Sequence, residues 1–301
     1  MAAGAVHTAT TWRLLSVSRL GPSHEKSGLT NQDAVGALAV PPGGTEVRLV
    51  AVSDGHGDSV HFRSERGSLF AVQAALETGL RFASSPQSAD ADAVRQWAGD
   101  VQPQQVIARW RDLVADDLTE HPFTSRELAS LKKGDGGDAR ARGLALNPVR
   151  AYGATLVGAM VTTDCIVYCQ VGDGDIVTVS GEGLVSQPLE DETHAFSNMT
   201  SSLCDTDPLR AWRASVQEQT RHQTALVLLA SDGYSGAFED KASFLSTVGA
   251  LAEVLRSGGE AKLRATLERS VAKARTYSGD DTTVAVLYRA PIGPPTPDGA
   301  S

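Results

Sequence analysis

Apolar residues along the chain fall into two patterns. The first is the short run: Val47–Val52 ("VRLVAV") and Thr224–Ser231 ("TALVLLAS") have the composition of strands buried on both faces. Trp12–Ser18 and Asn31–Val40 read as two further strands, the latter joined to Val47–Ser53 through the turn "PPGGTE". Between residues 152 and 187 three strands alternate with polar turns, Asp164 in the first turn and "GDGD" in the second. "GDDTTVAVLYR" reads as a closing strand with two aspartates at its start. The second pattern is helical. Over Ser59–Phe82, residues Phe62, Leu69, Phe70, Val72, Leu76 and Leu80 recur at helical spacing. Ala91–Leu118 does the same, with Pro103 predicting a break or kink. Phe244–Arg256 and Ala261–Ala274 read as helices divided by "SGGE".

The remaining stretches are polar. "LKKGDGGDARARGLALNP" reads as a flexible, charged loop, and Glu190–Arg213 as a loop or short helices. The tail "APIGPPTPDGAS" has the Pro/Gly content of a disordered end. Strands, helices, strands, helices and a final strand, without a linker between them, predict one α+β layered domain with mainly antiparallel sheets. Its bounds are 12–289, after an extension over 1–11 and before a disordered tail over 290–301.

Composition narrows the function. An apolar fraction of 41% supports a core, and a net charge of −9 with a pI near 5.3 speaks against nucleic acid as the main partner. No run reaches the roughly 18 apolar residues of a membrane span, and the N-terminus lacks the basic start of a signal peptide. A cytoplasmic location is the expectation. The three cysteines, Cys165, Cys169 and Cys204, form no CxxC pair and have no zinc spacing, so reduced, structural thiols are expected.

Carboxylates recur at strand ends. Asp54 ends one strand within "SDGHGD", Asp232 ends another within "SDG", and Asp173 and Asp175 sit in "GDGD". Asp280 and Asp281 start the last strand, and Asp33 an early one within "NQDA". Taken alone, SDGHGD fits a turn with an Asx-type hydrogen bond. If the strand ends meet, four or five negative charges share one place and require metal ions to neutralise them. The donors are all oxygens, which selects hard ions such as Mg²⁺ or Mn²⁺ over zinc.

"NQDA", "SDGHGD", "YGATL", "VGDGD", "ASDG" and "GDDTTVAVL" stand in the order and approximate spacing found in the metal-dependent protein phosphatases of the PP2C (PPM) family. The chain resembles that family from about Trp12 to Arg289. "SHEKSGLTNQDA" is similar to its bacterial branch. The resemblance implies a four-layer α-β-β-α sandwich with a metal cleft at one end. It implies hydrolysis of phosphoserine and phosphothreonine by a water bridging two ions, Mn²⁺ or Mg²⁺. Carried over by position, Asp54 would bridge the ions and the carbonyl of Gly55 would bind the second. Asp232 and Asp280 would complete the first site, Asp33 would serve the second, and His56 would be the proton donor to the leaving group. A phosphorylated protein is the implied partner, with a serine/threonine kinase or its targets the natural expectation.

The sequence also departs from the family. Gln32 replaces an acidic residue, which would weaken the second metal site. Gly28 stands where many members carry a phosphate-clamping arginine, leaving Lys26 or His24 as candidates for that role. Asp173 is a candidate for a third metal or its water, but Gly236 removes the usual companion ligand. Asp281 reads as a turn residue or one that supports the ligands, and Asp175 as a solvent-facing turn residue. His61, His121 and His222 default to surface or helix positions, and Trp97 and Trp110 to the core. These departures leave open a catalytically weak or degenerate domain acting as a regulatory or binding module. A two-metal hydrolase of another phosphoester also stays open.

Overall fold

The computed structural model describes residues 10–40, 47–132, 136–189, 200–219 and 224–291. Residues 1–9 and 292–301, which make up most of the expected extension and tail, lie outside them.

Among the described residues ten strands form two antiparallel sheets. β1 (Thr10–Arg19), β10 (Thr282–Pro291), β9 (Thr224–Ala230), β6 (Asp175–Ser180) and β7 (Val185–Ser186) make the first sheet in that spatial order. β2 (Ala34–Val40), β3 (Val47–Ser53), β4 (Leu156–Val161), β5 (Cys165–Val171) and β8 (Arg213–Glu218) make the second. The sheets face each other. After the single turn α7 (Asp232–Ser235), a long helical element, α8 (Lys241–Ser278), covers the first, while α2 (Ser64–Ala83) and α4 (Gln102–Glu120) cover the second. This is the four-layer α-β-β-α sandwich.

Strand periodicity explains the unbroken apolar runs. In β10, Val284, Val286 and Tyr288 point toward α8, while Ala285 and Leu287 point between the sheets. β9 repeats this, with Leu226, Leu228 and Ala230 on the helix side and Val227 and Leu229 between the sheets. Both faces are buried, so neither needs polar residues. Trp97 stacks on Phe82 at 4.1 Å and Trp110 is fully buried, so both serve the core. All three cysteines are buried and free. Among the described residues no helix is long and apolar enough to cross a membrane.

The helical layers differ from expectation in two places. α3 (Ala91–Gln96) runs through a π-helical turn, Trp97–Val101, directly into α4. Pro103 lies in the first turn of α4, and the wider π turn ahead of it accommodates the missing N–H. The Gly-rich stretch expected to be a flexible loop is largely helical. α5 (Ser125–Leu131) ends in it and α6 (Gly137–Leu146) occupies its second half. Leu131 and Leu144 bury themselves in the core under the second sheet, so tertiary packing overrides the local composition. α8 does contain the expected division, because Gly259 takes a left-handed φ of 69° in its middle.

β8 also departs from expectation, as it falls partly within and just beyond the segment read as a loop. It is an edge strand, half-buried along its length, and lacks the apolar run that marks the inner strands. Residues 190–199 of that segment lie outside the described residues.

Candidate active site

Strand register assembles the site. The β2–β3 ladder ends with Ala34 opposite Ser53, so Asp33 and Asp54 are the next residues on adjacent strands. In the other sheet Ala230 pairs with both Val284 and Asp175. Asp232, Asp280 and Asp173 therefore leave their strands at that same end. The Ser231 hydroxyl closes the gap between the sheets by donating to Asp33 Oδ2 at 2.8 Å. Asn31 Nδ2 donates to Ser18 Oγ, which bonds Thr283 Oγ1, and the Thr283 N–H donates to Ser231 Oγ. Asn31 Oδ1 accepts the Asp33 N–H at 3.0 Å. Asn31, Ser231 and Thr283 fall within the NQDA, ASDG and GDDTTVAVL motifs, but like Ser18 they carry no charge, so nothing in the sequence assigned them this bridging role.

Burial raises the pKa of Asp54 well above the ordinary carboxylate range, and the charges of Asp33 and Asp232 on either side raise it further. Burial likewise raises Asp33 despite the bond from Ser231. Asp232 rises through burial and the charges of Asp173 and Asp280. Among the described residues no lysine or arginine forms an ion pair with any of these groups. Asp280 is exposed, and its Oδ1 accepts the N–H of Asp281 at 2.8 Å. Asp173 is exposed and accepts from Thr200 Oγ1 at 2.6 Å. Asp175 instead starts β6, with Gln187 Nε2 at 3.4 Å.

Gly55 and His56 follow from the way β3 ends. A single bridge joins this loop to Ala154, made by His56 N–H to the Gly153 carbonyl and Thr155 N–H to the Asp54 carbonyl. That pattern leaves the Gly55 carbonyl out of the ladder. A side chain at Gly55 would collide with the Gln32 carbonyl at 2.8 Å, so only glycine fits. His56 packs edge-on against His61, with ring centroids 4.9 Å apart. His61, expected at the surface or on a helix, thus belongs beside the site, and its Nδ1 is tied to the Arg150 carbonyl. Burial, then the charge of His61, pulls the His56 pKa down to about 4 against the pull of Asp173, Asp205 and Asp58. His56 is neutral at pH 7 in this arrangement.

The segment before Asp33 is anchored by Asp281. Its carboxylate accepts the N–H of Gly21 at 2.7 Å, the N–H of Gln32 at 2.6 Å and His24 Nδ1 at 2.9 Å. His24 therefore turns inward from the short helix α1 (Pro22–Ser27), with Nε2 on the side of Gly57. Lys26 stays exposed on the same helix. Gly28 caps α1 with φ 67°, a left-handed conformation that disfavours the arginine otherwise expected there. Gln32 is buried. Its carbonyl accepts from Ser68, and its side-chain Oε1 has no partner. Asp281→Ala is expected to lower stability by about 2–3 kcal/mol, because two buried N–H groups lose their acceptor. Metal affinity should fall with it as Asp33 loosens. Urea denaturation and calorimetric Mn²⁺ titration would check this, and unchanged values for both would refute the anchoring role.

The residues present fit hard divalent cations. Asp33 Oδ1, Asp232 Oδ1 and Gln32 Oε1 are buried without hydrogen-bond partners, and every converging donor is an oxygen. His24, Asp280 and Asp281 also offer ligand atoms within 4.8 Å of one another, but Asp281 is committed to its three donors.

A layered sandwich that gathers carboxylates at one end of two sheets defines a class of metal-dependent hydrolase folds. The sequence model of the family Protein phosphatase 2C matches residues 20–268, and the chain belongs to that family of phosphoprotein phosphatases. No curated protein sequence matches it. Solved structures agree on the fold. PppA, a key regulatory component of T6SS in Pseudomonas aeruginosa, is 20% identical with a TM-score of 0.54, covering 94% of this chain and 99% of its own. The catalytic domain of the serine/threonine protein phosphatase PstP, solved with 2 manganese ions, is 16% identical with a TM-score of 0.51, covering 93% and 99%. Serine/threonine phosphatase Stp1 from Staphylococcus aureus is 16% identical with a TM-score of 0.52, covering 96% and 99%.

Proposed function

We propose that the protein is a Mn²⁺- or Mg²⁺-dependent phosphatase of phosphoserine and phosphothreonine in proteins, with a serine/threonine kinase or its targets among its substrates. One observation carries this. Asp33, Asp54 and Asp232 converge, with Asp33 Oδ1 and Asp232 Oδ1 buried and unpartnered and, among the described residues, no ion-paired cation, at the place where the family's motifs fall. Asp33, Asp54, the Gly55 carbonyl, Asp232 and Asp280 would hold two ions. Bound there, such ions supply charge neutralisation for the phosphoryl group and an activated water. The chain's own residues do the rest. Asp281 and Ser231 hold Asp33 in place, and the β3 ladder holds Asp54. His56 stands beside the carboxylates as the donor to the departing oxygen, a role that requires the phosphoryl dianion to raise its depressed pKa. The Gln32 amide and Gly28 favour a second reading, a weakly active domain that binds phosphoproteins and regulates them.

Phosphate release from a phosphothreonine peptide separates these. Turnover with Mn²⁺ or Mg²⁺ that vanishes in EDTA is the expected result. Folded protein without turnover in any metal would leave the regulatory module in its place. Faster turnover of nucleotides or sugar phosphates than of the peptide would shift the substrate class to small phosphoesters.

A further inference from the structure

A groove of about 550 Å³ opens beside His56, lined among the described residues by His61, Arg150, Thr200, Asp58 and Asp205. It is more polar than apolar and lies outside the carboxylate cluster. Its two acidic residues keep their charge but are tied to backbone N–H groups. Asp58 caps the turn that follows it by accepting from Val60 N–H, and Asp205 Oδ2 accepts from Ser202 N–H. Arg150 is different. Arg63, Arg66, Arg95 and Arg109 of the helical layer each hold a carboxylate, whereas Arg150 forms no ion pair among the described residues. Its Nη1 lies over Gly143 of α6, where even a methyl group would stand only 3.2 Å away. The bare glycine leaves the guanidinium room in the groove. Through His61, which touches both, the backbone of Arg150 is within about three extended residues of His56.

Building on the phosphatase reading, we propose that this groove receives the polypeptide flanking the phosphoresidue, and that Arg150 selects substrates with an acidic side chain there. A guanidinium presents a planar fork that matches a carboxylate, and an unpaired one bordering a substrate path is suited to that contact. The partner is thus a phosphoprotein whose phosphoserine or phosphothreonine lies within a few residues of an aspartate or glutamate.

The test uses the full chain with Mn²⁺ and two phosphothreonine peptides, identical except for glutamate or glutamine at the flanking positions. p-Nitrophenyl phosphate, which has no flanking chain, is the reference. Wild type should favour the acidic peptide. Arg150→Gln, which keeps the length of the side chain, should lower the ratio of kcat/KM on the acidic peptide to that on p-nitrophenyl phosphate about tenfold, through KM. Arg150→Glu should reverse the preference toward a lysine-flanked peptide. Equal losses on all substrates, or no loss on any, would overturn the proposal. Binding of the peptides by fluorescence anisotropy adds a readout free of turnover, and equal affinity of wild type for both would overturn it too. Absence of p-nitrophenyl phosphate hydrolysis by wild type would instead count against the phosphatase reading.

Discussion

Asp54→Asn and Asp232→Asn are each expected to lower turnover by about a thousandfold or more, with the protein still folded. Each carboxylate sits where the two sheets converge, and its neighbours are other carboxylates. An amide keeps the shape but removes the charge that a divalent ion requires, so metal binding and phosphoryl stabilisation fail together. Stability should move the other way. Burial and mutual repulsion raise the pKa of both groups, so without metal their ionisation opposes folding. The sign follows from proton counting. A carboxylate whose folded pKa is raised binds more protons in the native state, and stability falls as pH rises through that range. In EDTA the Asn variants should therefore melt above wild type at pH 7, with the difference shrinking as pH falls to the ordinary aspartate value of 3.8, below which wild type becomes protonated in both states. Mn²⁺ should raise the melting temperature of wild type and not of the variants. Normal turnover in either variant would remove these residues from the site.

Arg63→Ala is expected to cost about 3–5 kcal/mol, the range found when one partner of a buried ion pair is removed. In a chain of this size that is a fall in melting temperature of roughly 5–8 °C. Arg63 is 8% exposed and follows the SDGHGD loop by a few residues. Its guanidinium donates to both Glu127 oxygens, the carbonyls of His121 and Pro122 and the Tyr152 hydroxyl, and it lies over the Phe123 ring. Tyr152 in turn donates to Asp117, which Arg66 also holds. One side chain thus joins the start of α2, the α4–α5 connection and the loop before β4. Glu127 additionally caps α5 through Thr124. Burial would raise its pKa, but the bonds from Arg63 and Thr124 hold it down to about 2 from 4.5. A depressed carboxylate stabilises the fold above its unfolded pKa and loses that contribution as pH falls through its folded value. Glu127→Gln should therefore be less stable than wild type at pH 7, with the gap closing between about pH 4.5 and pH 2. A gap that is constant with pH would mean that packing, not charge, carries the network.

The legibility of the sequence varied with the physics of each element. The inner strands were plain because burial on both faces leaves only apolar residues, and β3 and β9 fall within a residue of their expected ends. The break in α8 was plain because glycine alone tolerates its backbone. β8 was invisible because an edge strand half in solvent carries no apolar run. α6 was hidden because a helix held by a single buried leucine, Leu144, can otherwise be built from glycine, arginine and alanine.

Asp33, Asp54, Asp173, Asp232 and Asp280 were singled out by a local feature, a carboxylate next to a strand end. That feature says where each residue is in the chain but not that they meet. Their meeting depends on register, Ala34 against Ser53 in one sheet and Ala230 against Val284 in the other, and on the packing of the two sheets face to face. The sequence by itself determined the inner strands, the charges at their ends and the family they resemble, because these follow from residue type and spacing. Only the tertiary structure decided that Asp281 anchors the Gly21–Gln32 segment, that His61 rests on His56 and that Arg150 borders the groove without an ion pair among the described residues. Those contacts join residues up to 260 positions apart, and only the folded chain brings them together.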